Sequence, residues 1–108
     1  MRIIARRTLR EYSESRAKHK DGKALKAALD AWFEEAHRAR WKSMAEIKRQ
    51  YRNASVVTSD RVVFNVKGND YRLVVAVDFE KGILWIKWVG THADYDKIDV
   101  AKVKYGDK

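Results

Sequence analysis

Residues 61–98 read RVVFNVKGNDYRLVVAVDFEKGILWIKWVGTHADYDKI, and the spacing of apolar residues in this stretch decides the fold. Val62, Phe64 and Val66 alternate with Val63, Asn65 and Lys67, the period of a half-buried strand. Gly68 and Asn69 break that run. A second alternation sets Tyr71, Leu73, Val75, Val77 and Phe79 against Arg72, Val74, Ala76 and Asp78, and Glu80, Lys81 and Gly82 supply a short hairpin connection. The third run, Ile83 to Val89, is dense in β-branched and aromatic side chains, carries Lys87 inside it and stops at Gly90. Two consecutive antiparallel hairpins are expected, followed by Thr91 to Asp96 as a polar loop or helical turn where strands end. Strict alternation puts Trp85 and Trp88 on opposite faces, one in the core and the other, Trp88, on the open face of the sheet.

Upstream the period changes. From Lys23, apolar residues fall at Leu25, Ala28, Leu29, Trp32, Phe33 and Ala36, one face of a helix that lays Trp32 and Phe33 onto the sheet. Thr8 and Glu11 have the spacing of a capping box, which starts a brief helix near Leu9; residues 15–22 are charged, end in glycine and read as a loop. Ser43 and Glu46 repeat the capping spacing ahead of a short helix with Met44, Ile47 and Tyr51 on one side and Lys48, Arg49 and Arg52 on the other. Residues 2–5 form a short edge strand, and residues 99–108 form a last turn and then fray. The fold class is α+β, N-terminal helices packed on one face of a small antiparallel sheet, with residues 1–108 as one domain.

Composition narrows the partners. Lysine and arginine total 24 against 15 aspartates and glutamates, a formal charge of +9 on 108 residues. Such an excess draws polyanions, with nucleic acid first, an acidic protein segment second and an anionic membrane surface third; a lysine-rich surface also serves plain solubility. The absence of cysteine excludes disulfides and thiolate metal sites and fits a reducing cytoplasm. No apolar run is long enough for a signal peptide or a membrane span, so a cytoplasmic protein without membrane contact is expected.

Four pieces carry a resemblance: MRIIARRTLREY at residues 1–12, WKSMAEIKRQYRNASVV at 41–57, FNVKGNDYRLVVAV at 64–77 and VGTHADYDKI at 89–98. In this order and spacing the chain closely resembles the HigB-type toxins of bacterial toxin–antitoxin pairs, within the RelE-like superfamily of small ribonucleases. The resemblance implies a RelE-like fold and an endoribonuclease that cuts mRNA on the translating ribosome. It further implies a co-expressed HigA-like antitoxin with a helix-turn-helix domain that neutralises it in a hetero-oligomer, and no cofactor or metal.

RNA cleavage without metal uses the substrate's own 2′-hydroxyl, and the protein supplies a base, cations for the phosphorane and an acid for the leaving 5′-oxygen. Arg72, directly after the first hairpin turn, matches the strand arginine that RelE-like toxins use on phosphate; taken alone it is an arginine flanking a hairpin. Lys67, a candidate catalytic residue with Arg72, and Asn65 are expected to share a strand face near that turn and to bind phosphate or the 2′-hydroxyl, with Asn69, Lys87 and Tyr95 as further RNA contacts. His92, the histidine of the THADYD segment, falls where RelE has a catalytic arginine and is the candidate acid or base; the plainer reading is a histidine capping a turn. RelE also has two lysines where Val63 and Asn65 stand, which places a lysine base in doubt and opens a second reading, an RNA- or ribosome-binding module that does not cut. His19 and His37 read as solvated, and Arg38, Arg40, Lys42, Lys48, Arg49 and Arg52 read as an RNA backbone contact or an ordinary solvated face.

Overall fold

The structure is a computed structural model and describes residues 1–103. In chain order it contains β1 (Arg2–Ile4), α1 (Arg6–Ser15), α2 (Gly22–Arg38), α3 (Met44–Gln50), β2 (Ser55–Thr58), β3 (Arg61–Val66), β4 (Tyr71–Asp78), β5 (Ile83–Thr91) and α4 (His92–Tyr95). The strands form one sheet in the order β1-β5-β4-β3-β2. The two hairpins expected from residues 61–91 are its centre, with Asn65 opposite Arg72 and Arg72 opposite Gly90. The sheet is mixed rather than wholly antiparallel: β1 runs parallel to β5, because the long helical excursion that follows β1 returns the chain through β2 at the other edge. β2 was not legible as a strand, since it has only four residues and Val56 within it is 46% exposed.

The helices cover the face that carries Val62, Phe64, Tyr71, Leu73, Val75, Leu84 and Val89, all buried against Leu9, Leu25, Leu29, Trp32, Trp41 and Ile47. Trp32 meets Phe64 edge-on at 5.3 Å, as its helical position requires. Phe33 packs half-buried at the margin of the same core, beneath the Arg6 guanidinium, 4.1 Å away, and stacks on His37. α1 begins earlier than expected. Ala5 is its N-cap residue, Thr8 lies inside the first turn with its N–H on the Ala5 carbonyl, and no side chain caps the helix. The second cap does form, with a shifted return bond: Ser43 Oγ accepts from Glu46 N at 3.3 Å, and Glu46 Oε2 accepts from Lys42 N, one residue before the cap, at 2.7 Å.

The opposite face is not bare. Val63 and Val74 are buried there under Val103, with Trp88, Tyr95, Ile98 and Val100 packed around them. Residues 96–103 therefore fold back over the sheet, and Arg61 ties them down by donating Nη1 to the carbonyls of Val100 at 3.1 Å and Val103 at 2.8 Å. The expected fraying of residues 104–108 lies outside the described residues. A bulge explains the tryptophans. Val74 pairs with Trp88 but Val75 pairs with Ile86, so Lys87 is the extra residue; Trp85, opposite Ala76, and Trp88 share one face, and neither is fully buried. Strict alternation would have split them. The Trp88 ring packs against Gly90, where an added Cβ would sit 2.4 Å from the indole, so this glycine serves the close approach.

Candidate functional site

The expected site residues gather where β3, β4 and β5 end, but on two sides of the sheet. Adjacent residues of a strand point to opposite faces, so Arg72 emerges on the face of Val63 and Trp88 while Tyr71 enters the helical core at 1% exposure. Arg72 is partly buried and held by three bonds. Its Nη1 donates to the Asn69 carbonyl at 2.9 Å and the Tyr71 carbonyl at 3.2 Å, and its Nη2 donates to Asn69 Oδ1 at 2.8 Å. Five N–H donors belong to a guanidinium, so the Nε–H and one Nη2–H remain outside this set. The Tyr95 ring lies with its centroid 6.0 Å from the guanidinium carbon, at the edge of a cation–π contact. Asn65 flanks Arg72 across the β3–β4 ladder and is partly exposed. Arg72, Asn65, Asn69 and Tyr95 thus form one cluster: a fixed cation, an aromatic face and two amides.

Lys67 departs from the expectation. β3 ends at Val66, and Lys67 takes a left-handed conformation, φ 53°, which turns it out of the strand and away from the face of Asn65. Its Nζ lies 2.8 Å from Asp70 Oδ2 and 3.6 Å from Asp21 Oδ1. The Asp70 bond raises the Lys67 pKa and lowers that of Asp70, so both groups are charged through the neutral range. An ammonium so placed ties the turn to Asp70 and Asp21.

His92 opens α4. Thr91 caps that helix, accepting from Asp94 N at 3.1 Å, and the His92 N–H donates to the Asp70 carbonyl at 3.0 Å, which fastens α4 to the β3–β4 turn. Its side chain is 49% exposed, with Nε2 3.7 Å from Asp96 Oδ2. The imidazole lines an open depression of about 590 Å³ together with Arg16, Lys20, Asp21, Asn69, Asp70, Tyr71 and Thr91. Arg72 is not among those lining residues. The site is therefore a strand end with cations on both sides: Arg72 with Tyr95 on one, Arg16 and Lys20 beside His92 on the other. Arg16 and Lys20 escaped the sequence reading because the charged run at residues 15–22 carries no periodicity, and only the fold brings it against Tyr71.

Of the remaining candidates, Lys87 is the bulge residue of β5, two residues along the strand from Val89 and away from the strand end that bears Arg72. The helical basic face is exposed throughout, but Lys48 is spent on the carbonyls of Arg52 at 2.8 Å and Ala54 at 2.7 Å. Among the described residues no group of three or more histidine, aspartate or glutamate side chains is placed to hold a metal ion, and no helix is long and apolar enough to cross a membrane.

A mixed sheet with helices on one face and a fixed arginine at its strand end defines a small α+β protein of basic charge. Residues 25–98 match the family model of the HigB toxins, described as the RelE-like toxic component of a toxin–antitoxin system, and the chain belongs to that family. A cognate antitoxin partner follows from that membership. No curated protein matches the chain.

Proposed function

We propose that this toxin is an endoribonuclease that cuts mRNA on the translating ribosome and is neutralised by a HigA-like antitoxin carrying a helix-turn-helix domain. The observation that carries the reading is the Arg72 guanidinium, fixed by Asn69 at 2.8 and 2.9 Å beside the Tyr95 ring in a chain of the HigB family. In the proposed reaction the substrate 2′-hydroxyl loses its proton to solvent water as its oxygen attacks the adjacent phosphorus, and the bond to the 5′-oxygen breaks, leaving a 2′,3′-cyclic phosphate and a 5′-hydroxyl. Arg72 neutralises the charge that builds on the phosphorane, through the part of its fork that Asn69 and Tyr71 leave open. His92 gives its proton to the leaving 5′-oxygen, a role for which an imidazole suits neutral pH. Tyr95 and Asn65 seat the nucleotide by stacking and amide hydrogen bonds.

One observation favours a second reading, RNA or ribosome binding without cleavage. Lys67 is drawn to Asp70 and Asp21, and Val63 is 2% exposed under the folded-back segment, so no lysine stands beside Arg72 in β3. Induced expression followed by mapping of mRNA 5′ ends separates the two. New internal 5′-hydroxyl ends at codon-spaced positions, lost in Arg72→Ala, are the expected result. Translation arrest with intact messages would sink the nuclease and leave the binding module.

A further inference from the structure

Arg16 follows the last residue of α1 and lies outside the residues that match the family. Its side chain is nevertheless anchored. Nε donates to the Tyr71 hydroxyl at 3.0 Å, and the guanidinium carbon lies 5.3 Å from the centroid of the same ring. That ring is 1% exposed and meets Tyr12 edge-on at 6.3 Å, so the anchor is part of the core. Gly22 fixes the connection from the other side: a Cβ there would stand 2.5 Å from the Arg16 carbonyl oxygen and 2.9 Å from that of Ala17, so α2 begins hard against the segment that carries the arginine. Burial works to lower the Arg16 pKa, but the Tyr71 hydrogen bond and the neighbouring Tyr12 and Asp21 outweigh it and the pKa is raised. The cation is permanent.

A bond through Nε orients the fork, the Tyr12 hydroxyl is a second hydrogen-bond neighbour of the guanidinium, and the Nη donors beyond these two contacts can grip phosphate oxygens. The depression beside it also holds Lys20 and His92, and its carboxylates, Asp21 and Asp70, lie 3.6 and 2.8 Å from Lys67. Lys67 offsets one of those two acids, so Arg16, Lys20 and Lys67 together exceed Asp21 and Asp70 by one positive charge. Tyr71 and Arg72 are consecutive residues of β4, so one strand end presents an anchored arginine on each side of the sheet.

We propose that Arg16, held by Tyr71 and assisted by Lys20, is a second phosphate-binding site for single-stranded RNA. It grips a backbone phosphate neighbouring the scissile one, and the strand passes from Arg72 over the 67–70 turn and past His92 to the α1–α2 connection. The site rests on the reading of this chain as an RNA-cutting toxin. The test measures binding of a fluorescent 2′-O-methyl RNA decamer, which cannot be cut, by anisotropy across a series of sodium chloride concentrations. Arg16→Met weakens binding about tenfold and flattens the slope of log K against log salt by about 0.7, the share of one phosphate contact on a single strand. Arg16→Lys keeps the slope and recovers part of the affinity. Tyr71→Phe keeps the slope but loses affinity, because the charge remains and its anchor is gone. Lys20→Glu, at an exposed position where folding is not at stake, also weakens binding and flattens the slope. If Arg16→Met and Lys20→Glu bind with the parent's affinity and slope while Arg72→Met is weakened, the second site is wrong and the RNA reading stands. If the parent binds no decamer and cuts no message in cells, the RNA reading falls and takes this site with it.

Discussion

Asn69 separates two accounts of the same cluster. The sequence suggests that it touches RNA, whereas the structure gives both its carbonyl oxygens, main-chain and side-chain, to Arg72. Asn69→Ala removes only the Oδ1 bond at 2.8 Å; the main-chain bonds at 2.9 and 3.2 Å survive. A hydrogen bond to a charged group nets about 1.5–3 kcal/mol. Asn69 is exposed and Arg72 partly so, and solvent screening reduces this to about 1 kcal/mol. At 1.36 kcal/mol per decade that slows the chemical step about fivefold. Arg72→Ala, which deletes the cation itself, costs about 10²–10³-fold, the range for removing one stabiliser of a developing anion. Single-turnover cleavage of mRNA on programmed ribosomes reads both. The decisive measurement is the double variant: if Asn69 acts through Arg72, Asn69→Ala has no further effect once Arg72 is alanine. An undiminished fivefold loss in that background would refute the positioning role and return Asn69 to direct RNA contact. A single variant as fast as the parent would remove it from the site.

Other consequences are checked separately. His92→Ala slows cleavage about 10²–10⁴-fold with little loss of RNA affinity, and His92→Arg fails to restore it if the imidazole delivers a proton; rates across acidic to neutral pH decide, since an arginine that merely neutralised charge would recover the rate without pH dependence. Arg61→Ala releases the carbonyls of Val100 and Val103, and hydrogen exchange at the Val103 amide accelerates while that of the β4 core stays slow. Asp70→Asn removes a carboxylate whose pKa is lowered mainly by its Lys67 hydrogen bond. The stabilisation is present above the unfolded carboxylate value, about 3.9, and is lost as pH falls through the lower folded value, so the urea midpoints of parent and variant differ at pH 6 and converge in strong acid. Trp32→Ala, at a position 3% exposed against Phe64, costs about 3–5 kcal/mol in denaturant unfolding; a cost near zero would mean that α2 is not seated on the sheet.

The central hairpins and the apolar face of α2 were legible because burial imposes periods of two and 3.6 on a chain, and residues 62–66, 71–78, 83–86 and 25–36 obey them. The failures have equally definite causes. Alternation cannot see a bulge, so Lys87 shifted the register silently and the two tryptophans were split between faces they in fact share. Continuing the β3 alternation through Lys67 put that residue on the wrong side, because a left-handed lysine before Gly68 has no mark in an apolar pattern. Arg72, the β3–β4 turn and the helical start at His92 were read from residues local to one strand end. Arg16 was not, since its place depends on a contact with Tyr71 across 55 residues of chain.

The departure from RelE at Val63 and Asn65 takes on a structural meaning once the folded-back segment is considered. Val63 is 2% exposed, Val103 lies on it at 8%, and Arg61 holds that segment by two carbonyls. A lysine at 63 would have to bury its ammonium among Val74, Val103 and Ile98 or expel the segment, and an unpaired buried charge is the costlier arrangement. An apolar residue at this position and a covered sheet face are therefore one feature, each requiring the other. Asn65 sits beyond the cover, beside Arg72, where an amide contributes hydrogen bonds but no charge. On the proposed reaction the positive charge that RelE spreads over β3 is concentrated in Arg72 at the strand end, and proton transfer moves to His92 across the turn. Val63→Lys tests the linkage. It should loosen residues 96–103, seen as faster exchange at Val103, without raising the cleavage rate, because the new ammonium arrives where Arg61 has lost its carbonyl partners and not beside the scissile phosphate. A faster enzyme with the segment still docked would show that the missing lysine, and not the cover, limits this toxin.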